Sequence, residues 1–459
     1  MKHLVIIGAG FSGTVTAIEF LKSAPQGARL TIINRSGKMA RGLAYGTNSP
    51  DHLLNVPAGN MSALVDEPGS FLDYCQKIEP ATHSGSFVSR KMYGAYLNDL
   101  LEGMKSTSSV QCASIMGEVH SIRPADDNAG AVIDLHTGEQ LEADHVVLAF
   151  GNFPPANPAG LQMLKGSARY VEDPWSSAAE QHLPSKAGHI LLIGSGLTAV
   201  DTFISLQQSN PQARITMLSR RGLLPTNHRQ KMPASGYKTA ICDHMLAATP
   251  TIACYVKLVR QEIAQSPEHW REIVAALRPI TSELWDRLPI IERRRFLRHV
   301  QPHWDVYRHR VAPQTFQVFQ EALEASRIES LAGRIVSANL EQDGVSLRIK
   351  SRGKHDVLEY RFDQVINCTG PCTDISRISD TFISYLAGES MVCADPLSIG
   401  INVGKDYSVL NSAGEGKQWL SYVGPMLKAG LWEATAVPEL RQHARLLARQ
   451  VAERFRRFE

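Results

Sequence analysis

The feature that most constrains this chain stands near its start. An apolar run, Leu4-Val5-Ile6-Ile7, passes directly into Gly8-Ala9-Gly10-Phe11-Ser12-Gly13. The run reads as a strand buried on both faces of a parallel sheet. Helical spacing follows from Thr14 to Lys22, with Ala17, Ile18 and Leu21 apolar, and Arg29 to Asn34 reads as a second strand. In that context each glycine has a separate reason. The first permits the turn, the second lets backbone approach a pyrophosphate, and the third lets helix and strand pack closely. The helix N-terminus adds free N–H groups and the positive end of its dipole. Gly8, Gly10, Phe11, Ser12 and Gly13 are therefore expected to hold a dinucleotide. An acid usually closes the second strand and takes the ribose hydroxyls; Asn34 stands there and offers a neutral amide instead.

The same grammar recurs mid-chain. His189-Ile190-Leu191-Leu192-Ile193 is followed by Gly194-Ser195-Gly196-Leu197-Thr198-Ala199, then by helical spacing from Val200 to Leu206. Gly194, Gly196, Leu197 and Thr198 are the expected contacts of a second dinucleotide. The next strand, Ile215 to Leu218, runs into Ser219-Arg220-Arg221-Gly222, with no acid. An acid there repels a 2′-phosphate, whereas arginine pairs with it bidentately. The second frame thus predicts NADPH over NADH, with Arg220 and Arg221 on the 2′-phosphate. Two frames in one chain imply an electron path from a hydride donor to an acceptor that stays bound. By analogy with other such chains, FAD takes the first frame and NADPH the second.

At 459 residues the chain exceeds what one core usually serves, so two or three domains are expected. Asp144 to Gly151 and Phe362 to Pro371 each read as an apolar strand closing on glycine; both resemble the segments where two-dinucleotide flavoproteins cross between domains, which places the crossings near Gly151 to Asn157 and near Gly370 to Thr373. Gly151 and Gly370 are accordingly expected near cofactor. The expected fold is α/β: two Rossmann-like dinucleotide-binding domains with a helical insertion. Residues 1–157 and 373–459 would form the FAD domain and 158–372 the NADPH domain, with the insertion at about 243–329. Within the insertion, Glu292-Arg293-Arg294-Arg295 reads as a solvated helix face. Pro438 to Glu459 reads as an amphipathic helix with Leu440, Leu446, Leu447 and Val451 on its apolar side.

Composition excludes several function classes. Lys and Arg total 48 against 45 Asp and Glu, so nothing pushes the chain toward nucleic acid or a membrane surface. Seven cysteines include no C-x-x-C and no Cys/His cluster of zinc spacing. No metal is expected, and a reduced, cytoplasmic setting fits best. The first apolar run is too short for a signal peptide, and no segment reaches a membrane span. A homo-oligomer stays open.

Further segments carry a resemblance. They are Arg41-Gly42-Leu43-Ala44-Tyr45-Gly46, then His52-Leu53-Leu54-Asn55-Val56-Pro57-Ala58-Gly59-Asn60-Met61-Ser62, and Arg90-Lys91-Met92-Tyr93-Gly94-Ala95-Tyr96. Later come Pro302-His303-Trp304-Asp305-Val306-Tyr307-Arg308-His309-Arg310, Gly424-Pro425-Met426, and Trp432 to Leu440. With the first glycine motif, they resemble a family of bacterial flavoproteins described as FAD-NAD(P)-binding. Its members include amino-acid N-hydroxylases that form nitrosuccinate from aspartate, and FAD-dependent urate hydroxylases. The chain lacks the C-x-x-C of disulfide reductases and the F-x-G-x-x-x-H signature of Baeyer–Villiger and flavin-containing monooxygenases.

The resemblance implies an NADPH-dependent flavin monooxygenase. NADPH would reduce FAD, O₂ would add to the reduced flavin as a hydroperoxide, and a small polar anionic substrate would take the distal oxygen. N-hydroxylation of an amino acid is the leading expectation. Urate hydroxylation is the alternative, as is an NADPH–flavin oxidoreductase that passes electrons to a partner. The resemblance places Asn55 to Met61 against the flavin ring, with Arg41 and His52 among the cofactor contacts. Gly424 and Pro425 would start a helix aimed at the flavin's pyrimidine edge. Arg308 and Arg310, with Asn55, are the expected catalytic and substrate-orienting groups.

Overall fold

A computed structural model describes residues 1–126, 128–176, 188–230 and 237–457. They form two compact units. The first comprises Met1–Pro50, Val56–Phe153 and Thr373–Glu459, and the second Asp51–Asn55 and Pro154–Cys372.

In the first unit, the five residues His3–Ile7 are all buried and form the inner strand of a six-stranded sheet. Arg29–Asn34 and His145–Leu148 flank it in parallel register, with Leu4 beside both Leu30 and His145. Gln111–Met116 and Gly416–Tyr422 extend the sheet in parallel, and Ser408–Leu410 closes one edge antiparallel. The continuous apolar character of the first strand follows from coverage on both faces. The helix Phe11–Ser23 is buried from Phe11 through Leu21 because the helix Val437–Arg457 lies over it. Phe20 and Phe455 meet edge to face, their ring centroids 5.8 Å apart. Leu440, Ala444, Leu447, Val451 and Phe455 form the buried stripe of that last helix, at helical spacing. Leu446, expected on that side, is instead 50% exposed, because it lies one residue off the stripe. A three-stranded antiparallel sheet, Val119–Pro124, Ala131–Leu135 and Gln140–Ala143, completes the unit.

The second unit repeats the plan. His189–Ile193 lies between Arg214–Ser219 and Gln364–Asn367 in a seven-stranded sheet, parallel to both. Ile328–Leu340 pairs in parallel with Arg214–Ser219, then leads an antiparallel meander through Val345–Ser351 and Val357–Phe362. The α/β reading with two Rossmann-like sheets holds. Between the strands Arg214–Ser219 and Ile328–Leu340, helices run from Ile241–Ala247 to Pro313–Glu324.

The insertion also corrects an expectation. Glu292 is not solvated, and Arg293 is only partly so. Glu292 is buried, and its Oε2 accepts from the backbone N–H of Ile252, capping the helix Ile252–Gln265. Arg293 donates to the carbonyls of Trp285, Leu288 and Asp286, each at 3.0 Å, closing the helix Thr281–Arg287. In sequence a charge run on a short helix looks like a solvated face, whereas two of its members here satisfy the orphan backbone groups of neighbouring helix ends. Arg294 and Arg295 are exposed as expected.

Candidate functional site

The two glycine motifs are built alike. Gly8 has φ +109°, and a Cβ there would stand 2.6 Å from the carbonyl oxygen of Ala149. Gly194 has φ +110°, and its Cβ would collide with the carbonyl of Cys368. At both positions backbone and packing require glycine. The third position differs: a Cβ on Gly13 would collide with the carbonyl of Gly8, whereas the second frame carries Ala199 there.

The second glycine of each motif has another cause. Gly10 lies in the extended region (φ −77°, ψ −166°), as does Gly196 (φ −86°, ψ −165°). A Cβ on Gly10 meets only the Cα of Gly42, at 3.8 Å, and one on Gly196 meets no described atom within 4 Å. Neither conformation nor packing asks for glycine here. What remains is the space in front of a helix N-terminus that no side chain caps among the described residues. A pyrophosphate fits that cradle, with backbone N–H donors and helix dipole turned toward it.

The motif Arg41 to Gly46 serves the first frame. Gly42, at φ +55°, sits so close that a Cβ would lie 2.9 Å from the Cα of Gly10. A Cβ on Gly94 would collide with the carbonyl of Tyr45, so the Arg90–Tyr96 segment interlocks with it. Phe11 packs on Tyr45 and Tyr93, with centroids 6.4 and 6.3 Å away. Arg41 is exposed. Asn34 spends its Nδ2 on Ser36 Oγ (3.0 Å) and the Lys38 carbonyl (3.1 Å), so Oδ1 is the atom left for a ribose hydroxyl. Met61 is buried at the end of the turn Ala58–Asn60, and Gly151 is exposed with open space around it.

Gly424 is held at φ +155°, where a Cβ would stand 2.5 Å from the hydroxyl of Tyr422, which donates to the Phe150 carbonyl (3.1 Å). Pro425 opens only a five-residue 3₁₀ turn, Pro425–Ala429, and the N–H of Met426 already donates to Tyr422 Oη at 3.1 Å. The expected helix with a free N-terminus is therefore absent here; a short 3₁₀ turn carries little of the aligned dipole that the expectation required.

In the second unit, Arg220 and Arg221 follow the strand Arg214–Ser219 as expected, and Gly370 sits at φ +85° with open space. Leu197 and Thr198 open the helix Leu197–Ser209. His52 is buried; its Nε2 bonds Ser205 Oγ at 2.8 Å, and its ring meets Trp175 edge-on. Asn55 presents its carbonyl oxygen to His228 Nε2 at 3.0 Å.

Arg308 and Arg310 are brought together with groups that sequence reasoning missed. Val311 N donates to the Thr226 carbonyl (2.8 Å), and His228 N to the Val311 carbonyl (3.0 Å). This short pairing sets His228 beside Arg310. Arg271 joins them, tied to the Asn227 carbonyl and Oδ1 (3.2 and 2.9 Å) and stacked on Trp270. Glu272 is engaged bidentately by Arg229, both bonds 2.9 Å. Burial first, then Arg308 and Arg271, pulls the Arg310 guanidinium down to about 10. Burial, with Arg310, Arg271 and Arg308, pulls His228 down to about 4, so its ring is neutral. Donation to the Asn55 carbonyl puts the proton on Nε2. Arg310 Nε is buried with no hydrogen-bond partner among the described residues. Such a group costs about 1–3 kcal/mol until an acceptor meets it. The signal available in sequence was Arg308-His309-Arg310 itself; His309 pairs with Asp305 at 3.8 Å. Nothing local announced Asn227, His228 or Arg271.

Residues 5–153 match the profile of the family described as FAD-NAD(P)-binding. Over residues 5–153 the resemblance read from the motifs is thus borne out, and FAD and NAD(P) are the cofactors of that family's description. No curated protein matches the chain. Among solved structures, its fold is similar to ornithine hydroxylase PvdA from Pseudomonas aeruginosa, at 17% identity, covering 98% of this chain and 99% of that one with TM-score 0.65. It is similar to the ornithine N-hydroxylase KtzI of Kutzneria sp. 744, solved with reduced FAD, NADP⁺ and L-ornithine, at 14% identity, 99% and 100% coverage and TM-score 0.65. L-lysine 6-monooxygenase from Pseudomonas syringae gives 14%, 99%, 100% and 0.64. At these identities the likeness is one of fold.

Proposed function

We propose that this FAD-NAD(P)-binding chain is an NADPH-using monooxygenase that hydroxylates a nitrogen of a small amino acid. FAD, when bound, supplies hydride acceptance from NADPH and activation of O₂. The chain's own residues supply the rest. The cradle at Gly10 holds one pyrophosphate and the cradle at Gly196 the other. Arg310 and Arg308 hold the substrate carboxylate and so fix which atom reacts. Asn55 is a positioning residue: its carbonyl fixes the His228 tautomer beside Arg310.

The observation that carries this reading is Arg310, buried, with an unpartnered Nε among arginines and a neutral histidine. Fold likeness to ornithine and lysine hydroxylases over nearly the whole chain supports the reaction type. Disulfide exchange is disfavoured at Cys368. Burial pushes Cys368 up to about 12, and its Sγ donates to Thr202 Oγ1, so the nucleophilic thiolate is scarce at neutral pH.

The test is a turnover screen of FAD-loaded enzyme with small amino acids and urate, product read by mass spectrometry. Arg310→Ala should keep FAD and NADPH oxidation but divert electrons to hydrogen peroxide, with product per NADPH falling at least about tenfold, or about 1.4 kcal/mol of lost orientation. Efficient hydroxylation of a neutral long-chain or aromatic compound, or full coupling in Arg310→Ala, would sink the reading. Peroxide as the sole product with every candidate would show a reductase.

A further inference from the structure

The turn after the strand Arg214–Ser219 gathers more positive charge than Arg220 and Arg221 alone. Gly222, at φ +67°, closes the turn by donating its N–H to Ser219 Oγ (2.9 Å). Arg221 reaches outward. Its Nη1 lies 3.4 Å from His303 Nε2, and its Nη2 donates to the Arg298 carbonyl at 2.9 Å. From another direction Arg352, just beyond the strand Val345–Ser351, donates through Nη1 to the Arg220 carbonyl at 3.4 Å. Arg260, on the helix Ile252–Gln265, is near enough for its charge to act on His303. Three segments distant in sequence thus deliver cations to one strand end, and a fourth brings His303.

No carboxylate pairs with Arg220, Arg221, Arg260, Arg298 or Arg352 among the described residues. Elsewhere in the molecule exposed arginines do find acids, as Arg214 finds Glu329 at 2.7 Å and Arg35 finds Asp380 at 2.8 Å. A cluster of like charges without counterions is unfavourable unless an anion completes it. The strand end of a dinucleotide frame is where the adenosine ribose comes to rest.

Resting on the NADPH reading of the second frame, we propose that His303 and Arg352 join Arg220 and Arg221 in a phosphomonoester site for the 2′-phosphate of NADPH, and that phosphate binding draws a proton from solvent onto His303. Choice of NADPH is then shared by the glycine-motif sheet, the helical insertion and the antiparallel meander. Burial first, then Arg221, Arg260 and Arg352, holds His303 below the ordinary histidine range in the free protein. It is therefore neutral near pH 7 and accepts hydrogen bonds at Nε2. A phosphate dianion reverses the local field and favours imidazolium. Affinity for NADPH should strengthen as pH falls from about 8 toward 6, until the phosphate itself protonates. NADH, lacking the phosphate, should show no such trend.

The experiment uses the FAD-loaded enzyme. KM is measured for NADPH and NADH between about pH 6 and 9, with inhibition by 2′,5′-ADP against 5′-AMP, in wild type, Arg352→Ala, Arg352→Lys and His303→Gln. Arg352→Ala should raise the NADPH/NADH ratio of KM at least about fivefold, and Arg352→Lys less, because the charge remains while the fork is lost. His303→Gln should flatten the pH dependence of NADPH KM and leave NADH KM unchanged. Wild type binding 2′,5′-ADP no tighter than 5′-AMP would overturn the NADPH reading itself. Preference for 2′,5′-ADP that survives in both Arg352→Ala and His303→Gln, with an unchanged pH profile, would overturn only the present inference. A variant that loses FAD or folds poorly is replaced in this comparison by Arg352→Lys, whose unchanged KM ratio would count against the site.

Discussion

Replacing Gly10 separates ligand approach from every other reason for glycine. Its φ and ψ are open to any residue, and a Cβ finds only the Cα of Gly42 at 3.8 Å. Gly10→Ala should therefore not strain the apoprotein. It should gain about 0.4–1 kcal/mol from a stiffer unfolded chain. For a unit of this size that corresponds to about 1–2 °C in Tm. The same methyl group occupies the cradle where a pyrophosphate needs backbone contact, and Gly10→Val fills it further. Losing that approach at a dipole-assisted phosphate site should weaken FAD by at least about a hundredfold, near 2.7 kcal/mol. The assay pairs flavin absorbance per chain with scanning calorimetry of apoprotein stripped of flavin. Expected are colourless Gly10→Val and an apoprotein melting at or slightly above the wild-type temperature. Gly10→Val purified yellow with one FAD per chain would refute the assignment. A strongly destabilised apoprotein would refute the claim that packing leaves this position free.

The neighbouring glycine should behave in the opposite way. Gly13→Ala forces a Cβ into the Gly8 carbonyl and should cost about 2–3 kcal/mol in the apoprotein, whereas Ala199→Gly in the second frame should cost only about 1 kcal/mol of helix propensity; equal denaturation midpoints for Gly13→Ala and wild type would contradict the geometry. Acid sensitivity should arise in part from His145. Burial, then Arg454, pulls it down to about 3 in the folded chain, and its Nε2 bonds Ser421 Oγ at 3.1 Å. Its folded value is depressed, so its stabilisation is fully present above the unfolded value near 6.5 and is lost as pH falls toward 3. The slope is about 1.4 kcal/mol per pH unit, or about 2 kcal/mol between pH 6.5 and 5. Denaturation midpoints of wild type and His145→Asn at pH 7 and 5 should therefore converge in acid; parallel lines would reject the linkage.

Both dinucleotide frames were legible because each is local: one apolar strand, one turn and one helix within about 20 residues. The family motifs around Gly42 and Gly94 were legible as patterns, but their cause was not. The cause is contact between backbones far apart in the chain, Gly42 against Gly10 and Gly94 against Tyr45. The grouping of Asp51–Asn55 with the second unit escaped sequence reading for the same reason, since it rests on His52 meeting Ser205. The cluster around Arg310 depends on residues 226–228 pairing with Val311, a bridge with no periodicity to reveal it. Arg293 and Glu292 misled because a helix-capping side chain and a solvated one look identical in a charge run.

The sheet of the first unit has a consequence for how the protein is made. Its opening strand, His3–Ile7, is joined by His145–Leu148 early, but Gly416–Tyr422 and the covering helix Val437–Arg457 leave the ribosome roughly 270 residues later, about 15–50 s at ordinary synthesis rates. Throughout that interval the helix Phe11–Ser23 lacks its lid, and Phe20 lacks Phe455. The second unit, from Pro154 to Cys372, can meanwhile gather nearly all of its own strands. Nascent chains arrested near Cys372 should therefore hold a protease-resistant second unit beside an N-terminal segment that chaperones still bind, and the first unit should snap into resistance only when the last helix emerges.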